Sequence, residues 1–267
     1  MDTELSKNDA HDMHGTVTDM YTRVNNELGS RYQPFLNYGY GYAAPLPPMP
    51  LLEAQDRDFQ ISAQLYHFVT SATSLHDKDI VEVGSGRGGG AYYMKKYCGA
   101  RSVAGLEYLG QSVDIARSSF AIDGLSFVQG DAEQLPFDSA SKEVVVNIES
   151  SHCYPNLDSF YSETLRILKP GGYFCYADLV TPEKSREIEA KLRQLPVELV
   201  RSRDITANVL ASLAADNARK VALIKDMGLS DARAAWWLNE WACVGTTIWD
   251  ELNHGQLVYV SYALMKI

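Results

Sequence analysis

Between residues 79 and 180 the chain alternates short apolar runs with segments of mixed polarity. The runs are Asp79-Ile-Val-Glu-Val83, Arg101-Ser-Val-Ala-Gly-Leu-Glu107, Leu125-Ser-Phe-Val-Gln129, Glu143-Val-Val-Val-Asn-Ile148 and Tyr173-Phe-Cys-Tyr-Ala-Asp178. Their shortness and their β-branched and aromatic content predict strands rather than buried helices. Strand followed by helix, repeated, predicts an α/β fold: a parallel sheet with crossover helices, whose ligand lies at the carboxyl ends of the strands.

The flanks are patterned differently. Residues 1 to about 30 are polar, with Met20, Val24 and Leu28 at i, i+4 and i+8, which predicts a covering helix. An aromatic stretch, Tyr32-Gln-Pro-Phe-Leu-Asn-Tyr38-Gly-Tyr40-Gly-Tyr42, and a proline-rich linker from Pro45 to Pro50 follow. A helix over Leu51–Val69 then presents Leu52, Phe59, Ala63, Tyr66 and Val69 on one face. Beyond 180 the pattern reads as helical from about Pro182 to Trp241. Leu192, Leu195 and Leu199 give one stripe, and Val209, Leu210, Leu213, Val221 and Ile224 another. Trp237 and Trp241 share a helical face there, either packing a lid or walling an apolar acceptor pocket. Thr246–Trp249 and Leu257–Met265 read as a hairpin joined by Asp250–Gly255, with His254 as a turn residue. The expected layout is an N-terminal lid segment (1–50), a ligand-binding core (51–180), a helical lid (181–241) and strands completing the sheet (242–267).

The turn after the first run carries the most chemistry. Gly84, Gly86 and Gly88 remove side chains where the main chain bends, which lets a ligand touch backbone. Gly84-x-Gly86-x-x-Gly89 satisfies the dinucleotide fingerprint, and Glu107 follows at about the ~20-residue distance of a ribose-binding acid. Charge separates the candidates. Glu82, beside the turn, would oppose a pyrophosphate but suits a ligand carrying an ammonium and a sulfonium, which favours S-adenosylmethionine over NAD. Glu107 is placed to accept hydrogen bonds from both ribose hydroxyls. A C-terminal hairpin with a reversed strand is also more than a dinucleotide domain needs.

With Asp131-Ala132-Glu133 after the third run and Lys169-Pro-Gly-Gly172 before the fifth, residues 79–178 resemble the core of the class I S-adenosylmethionine-dependent methyltransferases. That resemblance implies a Rossmann-like seven-stranded sheet, mostly parallel, with a reversed C-terminal strand, N-terminal helices and a helical lid insertion. It also implies that Asp131 and the Ala132 N–H read the adenine, and that the transferable methyl lies over the end of the fourth strand. Glu133 reads as a solvated acid. The fourth strand ends in Glu149-Ser-Ser-His152-Cys-Tyr-Pro155. His152 is the natural general base for a hydroxyl acceptor, with an unperturbed pKa near ~6.5. Asp178, ending the neighbouring strand, is its expected partner. Glu149 is expected to order this loop and contact ligand, and Tyr38 to reach the cofactor's methionine end, where ring faces attract a sulfonium.

Asn147-Ile-Glu149-Ser-Ser-His152-Cys-Tyr-Pro155, with Asn37-Tyr-Gly-Tyr40 upstream, resembles the natural-product tailoring O-methyltransferases. These include enzymes acting on sugar or polyketide hydroxyls and the mycobacterial phenolphthiotriol dimycocerosate methyltransferases. The expected acceptor is accordingly a hydroxyl of a bulky polyketide, peptide-polyketide, lipid or glycoside. C- or N-methylation, and cofactor binding without turnover, remain open.

Composition narrows the partners. A formal charge of −10 over 267 residues, with scattered basic residues, lacks the footprint that nucleic acid requires. No apolar run approaches the ~20 residues of a membrane span, and the polar start lacks a secretion signal, so a cytoplasmic protein is expected. Cys98, Cys153, Cys175 and Cys243 form no Cys-x-x-Cys pair, which argues against a metal site or a disulfide framework.

Overall fold

The computed structural model describes residues 7–41 and 48–267, with side chains in the first helix described from residue 15 onward. Tyr42 and the Pro45 end of the expected linker lie outside the described residues. In chain order the elements are α1 (Lys7–Leu28), α2 (Gln60–Thr70), β1 (Asp79–Val83), α3 (Gly89–Tyr97), β2 (Ser102–Glu107), α4 (Gly110–Ser119) and β3 (Leu125–Gln129). They continue with β4 (Lys142–Ile148), α5 (Leu157–Ile167), β5 (Leu168–Val180), α6 (Pro182–Leu192), β6 (Val197–Asp204), α7 (Thr206–Asp226), α8 (Asp231–Glu240), α9 (Thr247–Asn253) and β7 (Val258–Lys266).

All five apolar runs are strands of one seven-stranded sheet, ordered β3-β2-β1-β4-β5-β7-β6. β1 to β5 pair in parallel, and β7 runs antiparallel to both β5 and β6. The strands are apolar on successive residues because both faces are covered. Ile80, Val144 and Val146 pack with Leu65, Val69 and Tyr93 on one side. Val81, Val83 and Val145 pack with Phe160, Leu165 and Phe174 on the other. The order reverses between β1 and β4, so their carboxyl ends diverge and leave the crevice in which open α/β sheets bind ligands.

Two expectations at the end of the chain are corrected. Residues 246–249 are not a strand: Thr247–Asn253 forms α9, and the partner of β7 is β6. β6 lies inside the segment read as helical. The apolar spacing Leu195–Leu199 fits a helix at i, i+4 but fits a strand equally, because four is also a multiple of two. The alternating exposure of Val197-Glu-Leu-Val200 is that of a strand with one half-buried face. Its charges, Glu198, Arg201 and Arg203, and a register shift at Leu199/Arg201 suit a sheet edge. The helical cover therefore sits between β6 and β7.

The expected helix over residues 51–69 begins as a 3-10 turn, Ala54–Phe59, before becoming α2. Its predicted face is buried, with Leu52, Phe59, Ala63, Tyr66 and Val69 each at most 6% exposed. A third cluster, Val24 and Leu28 with Ile224, Trp237, Trp241 and Cys243, joins α1 to α7 and α8 above the crevice.

Candidate active site

Three left-handed glycines shape the floor of the crevice: Gly84 (φ 74°), Gly86 (φ 52°) and Gly88 (φ 89°). Their reasons differ. A side chain on Gly84 would strike the Ser150 hydroxyl and the Tyr154 phenol, so this glycine lets the loop after β4 close onto the turn. At Gly86 a Cβ would meet nothing within 4 Å. There the bare backbone faces a cavity of about 320 Å³.

Of the ten residues selected from the sequence, Tyr38, Gly84, Gly86, Glu107, Asp131, Ala132, Glu149 and His152 line that cavity, whereas Glu82 and Asp178 stand behind its wall. Glu107 accepts the Gly86 N–H on one oxygen and the Leu109 N–H on the other, each at 2.9 Å, and burial raises its pKa. Each oxygen keeps acceptor capacity for a further donor. Asp131 accepts the Glu133 N–H at 2.8 Å. Glu82 is 1% exposed; it accepts the hydroxyl of Tyr66, itself a wall residue, at 2.5 Å. Burial pushes its carboxyl up to about 8, against the hydrogen bonds from Tyr66 and the Ala91 backbone. Its Oε2 and the Oγ of Ser85 are buried polar atoms with no hydrogen-bond partner among the described residues.

These groups test the expected cofactor. The wall offers carboxylates and unfilled acceptors, which match the hydroxyls, amino groups and positive charge of S-adenosylmethionine. A pyrophosphate would gain no charge partner from Arg87, the arginine on the wall among the described residues. Its guanidinium is committed to Asn25 Oδ1 (3.0 Å) and to the carbonyls of Arg31 (3.1 Å) and Gln33 (2.9 Å). Arg87 thus binds the last turns of α1 and the segment after it to the glycine turn. The residues present fit S-adenosylmethionine.

Glu149, first after β4, holds a left-handed φ of 49°. Its Oε1 accepts the Tyr38 N–H and the Tyr259 hydroxyl, both at 2.7 Å, and joins the N-terminal strap to β7. Burial pushes this carboxyl up to about 7 despite those bonds. Tyr38 donates its hydroxyl to the Glu240 carbonyl at 2.9 Å. Tyr40 instead stacks on Phe68 at 4.6 Å and is absent from the wall.

His152 and Asp178 meet as expected. The imidazole Nδ1 lies 2.7 Å from Asp178 Oδ1, with 41% of the His152 side chain accessible and none of Asp178. Because a carboxylate only accepts, Nδ1 carries the proton and Nε2 is left as the basic nitrogen. Burial alone would depress the His152 pKa; the charge and hydrogen bond of Asp178 outweigh it and hold the pKa well above its ordinary value.

Much of the rest of the wall comes from the covering helices, including Trp237 and Trp241, for which the sequence left open packing a lid or walling an acceptor pocket. α1 contributes Val17, Met20, Tyr21 and Val24, and α8 contributes Trp236, Trp237 and Glu240, with Trp241 beyond it. Tyr108, next to Glu107, and Ser85 also face the cavity. For Tyr108 and Ser85 a signal existed, since each adjoins a motif residue at a strand end. Tyr21 stands outside the Met20–Val24–Leu28 stripe, and only the tertiary arrangement reveals it. Glu133 lies on the wall and accepts the Asn156 N–H at 2.6 Å. His254 bonds the Asp250 carbonyl within α9 and is not a wall residue. Among the described residues no group of three His, Cys, Asp or Glu could hold a metal ion, and no helix is long and apolar enough to cross a membrane.

Residues 81–176 match a family described as a methyltransferase domain. The chain is 35% identical over 259 residues to the phthiotriol/phenolphthiotriol dimycocerosates methyltransferase of Mycobacterium leprae, covering 93% of this chain and 94% of the relative. It is 37% identical to the fatty-acid O-methyltransferase of Mycolicibacterium smegmatis, covering 67% of this chain and 65% of that one. In fold it is similar to the geranyl diphosphate C-methyltransferase of Streptomyces coelicolor A3(2), solved with S-adenosyl-L-homocysteine. The TM-score is 0.64 at 17% identity, over 96% of this chain and 98% of that one.

Proposed function

The chain belongs to the S-adenosylmethionine-dependent methyltransferases, alongside these lipid-modifying relatives, and from that premise we propose that it methylates a hydroxyl oxygen on a bulky apolar small molecule with His152 as general base. The observation that carries the reading is the buried Asp178 carboxylate 2.7 Å from the Nδ1 of a cavity-lining histidine.

Bound S-adenosylmethionine supplies an electrophilic methyl whose thioether leaving group needs no acid. What remains for the protein is alignment of the nucleophile and removal of its proton. In this reading the acceptor O–H proton passes to His152 Nε2, and Asp178 stabilises the imidazolium that forms. Glu107 takes the ribose hydroxyls, Asp131 and the Ala132 N–H take the adenine, and Gly84 and Gly86 admit the ligand to the backbone. Tyr38 and Glu149 border the reacting end, with Glu82 acting from behind Tyr66. Val17, Met20, Trp236 and Ile248 supply an apolar wall for the acceptor.

The raised pKa of His152 favours a second reading. An imidazolium at neutral pH is suited to hold a carboxylate acceptor, which is already a nucleophile and needs no base. The relative from Mycolicibacterium smegmatis bears a fatty-acid name. Transfer of labelled methyl to long-chain alcohols and to fatty acids, each across a pH series, separates the two. With a base, the rate on an alcohol rises with pH through the His152 pKa. With an imidazolium anchor, only fatty acids react and the rate falls over that range. Methyl uptake by neither class would reject both.

A further inference from the structure

Asp178 is held by more than His152. Its Oδ1 accepts the His152 Nδ1–H at 2.7 Å and the Leu179 N–H at 2.8 Å. Its Oδ2 accepts the His152 N–H at 3.0 Å and the Ser151 hydroxyl at 2.5 Å. Two donors on each oxygen match the roughly four lone-pair sites of a carboxylate. The Ser151 Oγ also lies 2.6 Å from the Tyr176 hydroxyl. Serine has a single proton, and Asp178 takes it, so the Tyr176 phenol must donate to Ser151. Ser151 is 2% exposed and Tyr176 is 0% exposed. The Tyr176 ring is clamped between Phe174 at 5.5 Å and Tyr262 at 5.9 Å.

We propose that Ser151 and Tyr176 are positioning residues of the catalytic pair: a one-way hydroxyl relay, Tyr176 to Ser151 to Asp178, that sets how strongly the carboxylate holds the imidazole and at what angle. Neither residue lies on the cavity wall, so each acts through Asp178 rather than on substrate. The inference rests on the reading of His152 as the base. A donor to Asp178 partly satisfies its charge. Without that donor the carboxylate relies more on the imidazolium, and His152 keeps its proton to higher pH. The other titratable groups acting on His152 are Cys153 on the same turn, Glu149 at the end of β4 and Glu240 on α8, and all three remain in the variants below.

The test is an NMR titration of the His152 imidazole in protein labelled with carbon-13 histidine, for wild type, Ser151→Ala, Tyr176→Phe and Asp178→Asn, without acceptor. Ser151→Ala is expected to raise the midpoint by on the order of one pH unit. Tyr176→Phe should raise it by less, and Asp178→Asn should lower it. Ser151→Thr, which restores a hydroxyl, should return it toward wild type. A Tyr176→Phe protein that folds as wild type, judged by circular dichroism, and titrates with the wild-type midpoint overturns the relay even if Ser151→Ala does not fold. Because the titration needs no turnover, the two readings fail separately. Full activity in His152→Ala removes the base, whereas unmoved midpoints remove the relay.

Discussion

At the scale of single residues, the two turn glycines make opposite demands. Gly84→Ala combines a left-handed backbone with contacts against Ser150 and Tyr154, in the loop that carries His152. Gly86→Ala bears only the backbone strain, roughly 1–2 kcal/mol, but its methyl enters the cavity. Calorimetric titration with S-adenosylhomocysteine should therefore find Gly86→Ala folded with affinity weakened about tenfold or more, a loss of ~1.4 kcal/mol. Gly84→Ala should lose thermal stability first. Equal stability in the two variants would refute the distinction. His152 makes a second prediction. Asp178 raises its pKa, so the neutral, proton-accepting form is gained as pH rises. On an alcohol acceptor kcat/KM should climb with pH, and in Asp178→Asn that limb should move to lower pH with a lower plateau. The placement of the turn glycines, Glu107, Asp131 and the His152–Asp178 pair at the crevice was legible in the sequence because each is tied to the end of a recognisable strand. Glu82 was read as facing ligand from its place on β1. Strand alternation turns it toward α2 instead, where Tyr66 takes it up.

At the scale of elements, the cover over the crevice is held by a polar tie beside its apolar cluster. Glu27 on α1 accepts Arg233 of α8 through both oxygens, at 2.9 and 2.7 Å, and the Trp237 indole N–H at 2.7 Å. Glu27 and Arg233 are both largely shielded from water, with side chains 18% and 24% accessible. Breaking the tie leaves Arg233 and Trp237 underpaired and should cost about 1–3 kcal/mol. None of these residues belongs to the sheet. In Glu27→Ala the amides of α1 should exchange with deuterium roughly tenfold faster or more, while those of β1 and β4 are unchanged. Equal acceleration throughout would mean that α1 is part of the global unfolding unit. Helix α1 itself was legible from its stripe, but its partner was not, because periodicity gives a face and not what it touches. The same limit produced the misplaced C-terminal hairpin. β7 was found from its apolar run, whereas its neighbour β6, an edge strand with only one half-buried face, left too weak a pattern to compete with the helices around it.

At the scale of the whole molecule, the buried acids couple stability to pH. Glu82, pushed up to about 8, and Glu149, up to about 7, keep protons that the unfolded chain releases near 4.5. His152, with its raised pKa, likewise binds its proton more tightly when folded. In each case the folded state holds more protons, so stability falls as pH rises, from about 4.5 toward 7 and 8 for the two carboxyls and from about 6.5 upward for His152, by up to about 1.4 kcal/mol per group per pH unit. Below that window the sign reverses. Asp79, held down to about 2 by Arg101, and Glu27, lowered by Arg233, contribute stability that is lost as acid protonates them. Tm should peak near pH 5. A cationic ligand beside the buried acids favours their ionised forms, so cofactor binding at pH 7 should release protons, read as a binding enthalpy that depends on the buffer. The formal charge of −10 argued against a nucleic-acid footprint, but it could not reveal that burial raises the pKa of Glu82 and Glu149.

Whether His152 takes the acceptor's proton during methyl transfer is read from the single-turnover rate of labelled methyl transfer to a long-chain alcohol. Wild type and His152→Ala would be compared with cofactor binding verified by calorimetry for both. With His152 as the base, His152→Ala should lose about 10²–10⁴ in rate at unchanged cofactor affinity. A His152→Ala protein that binds cofactor normally and transfers methyl to the alcohol at the wild-type rate would contradict that role.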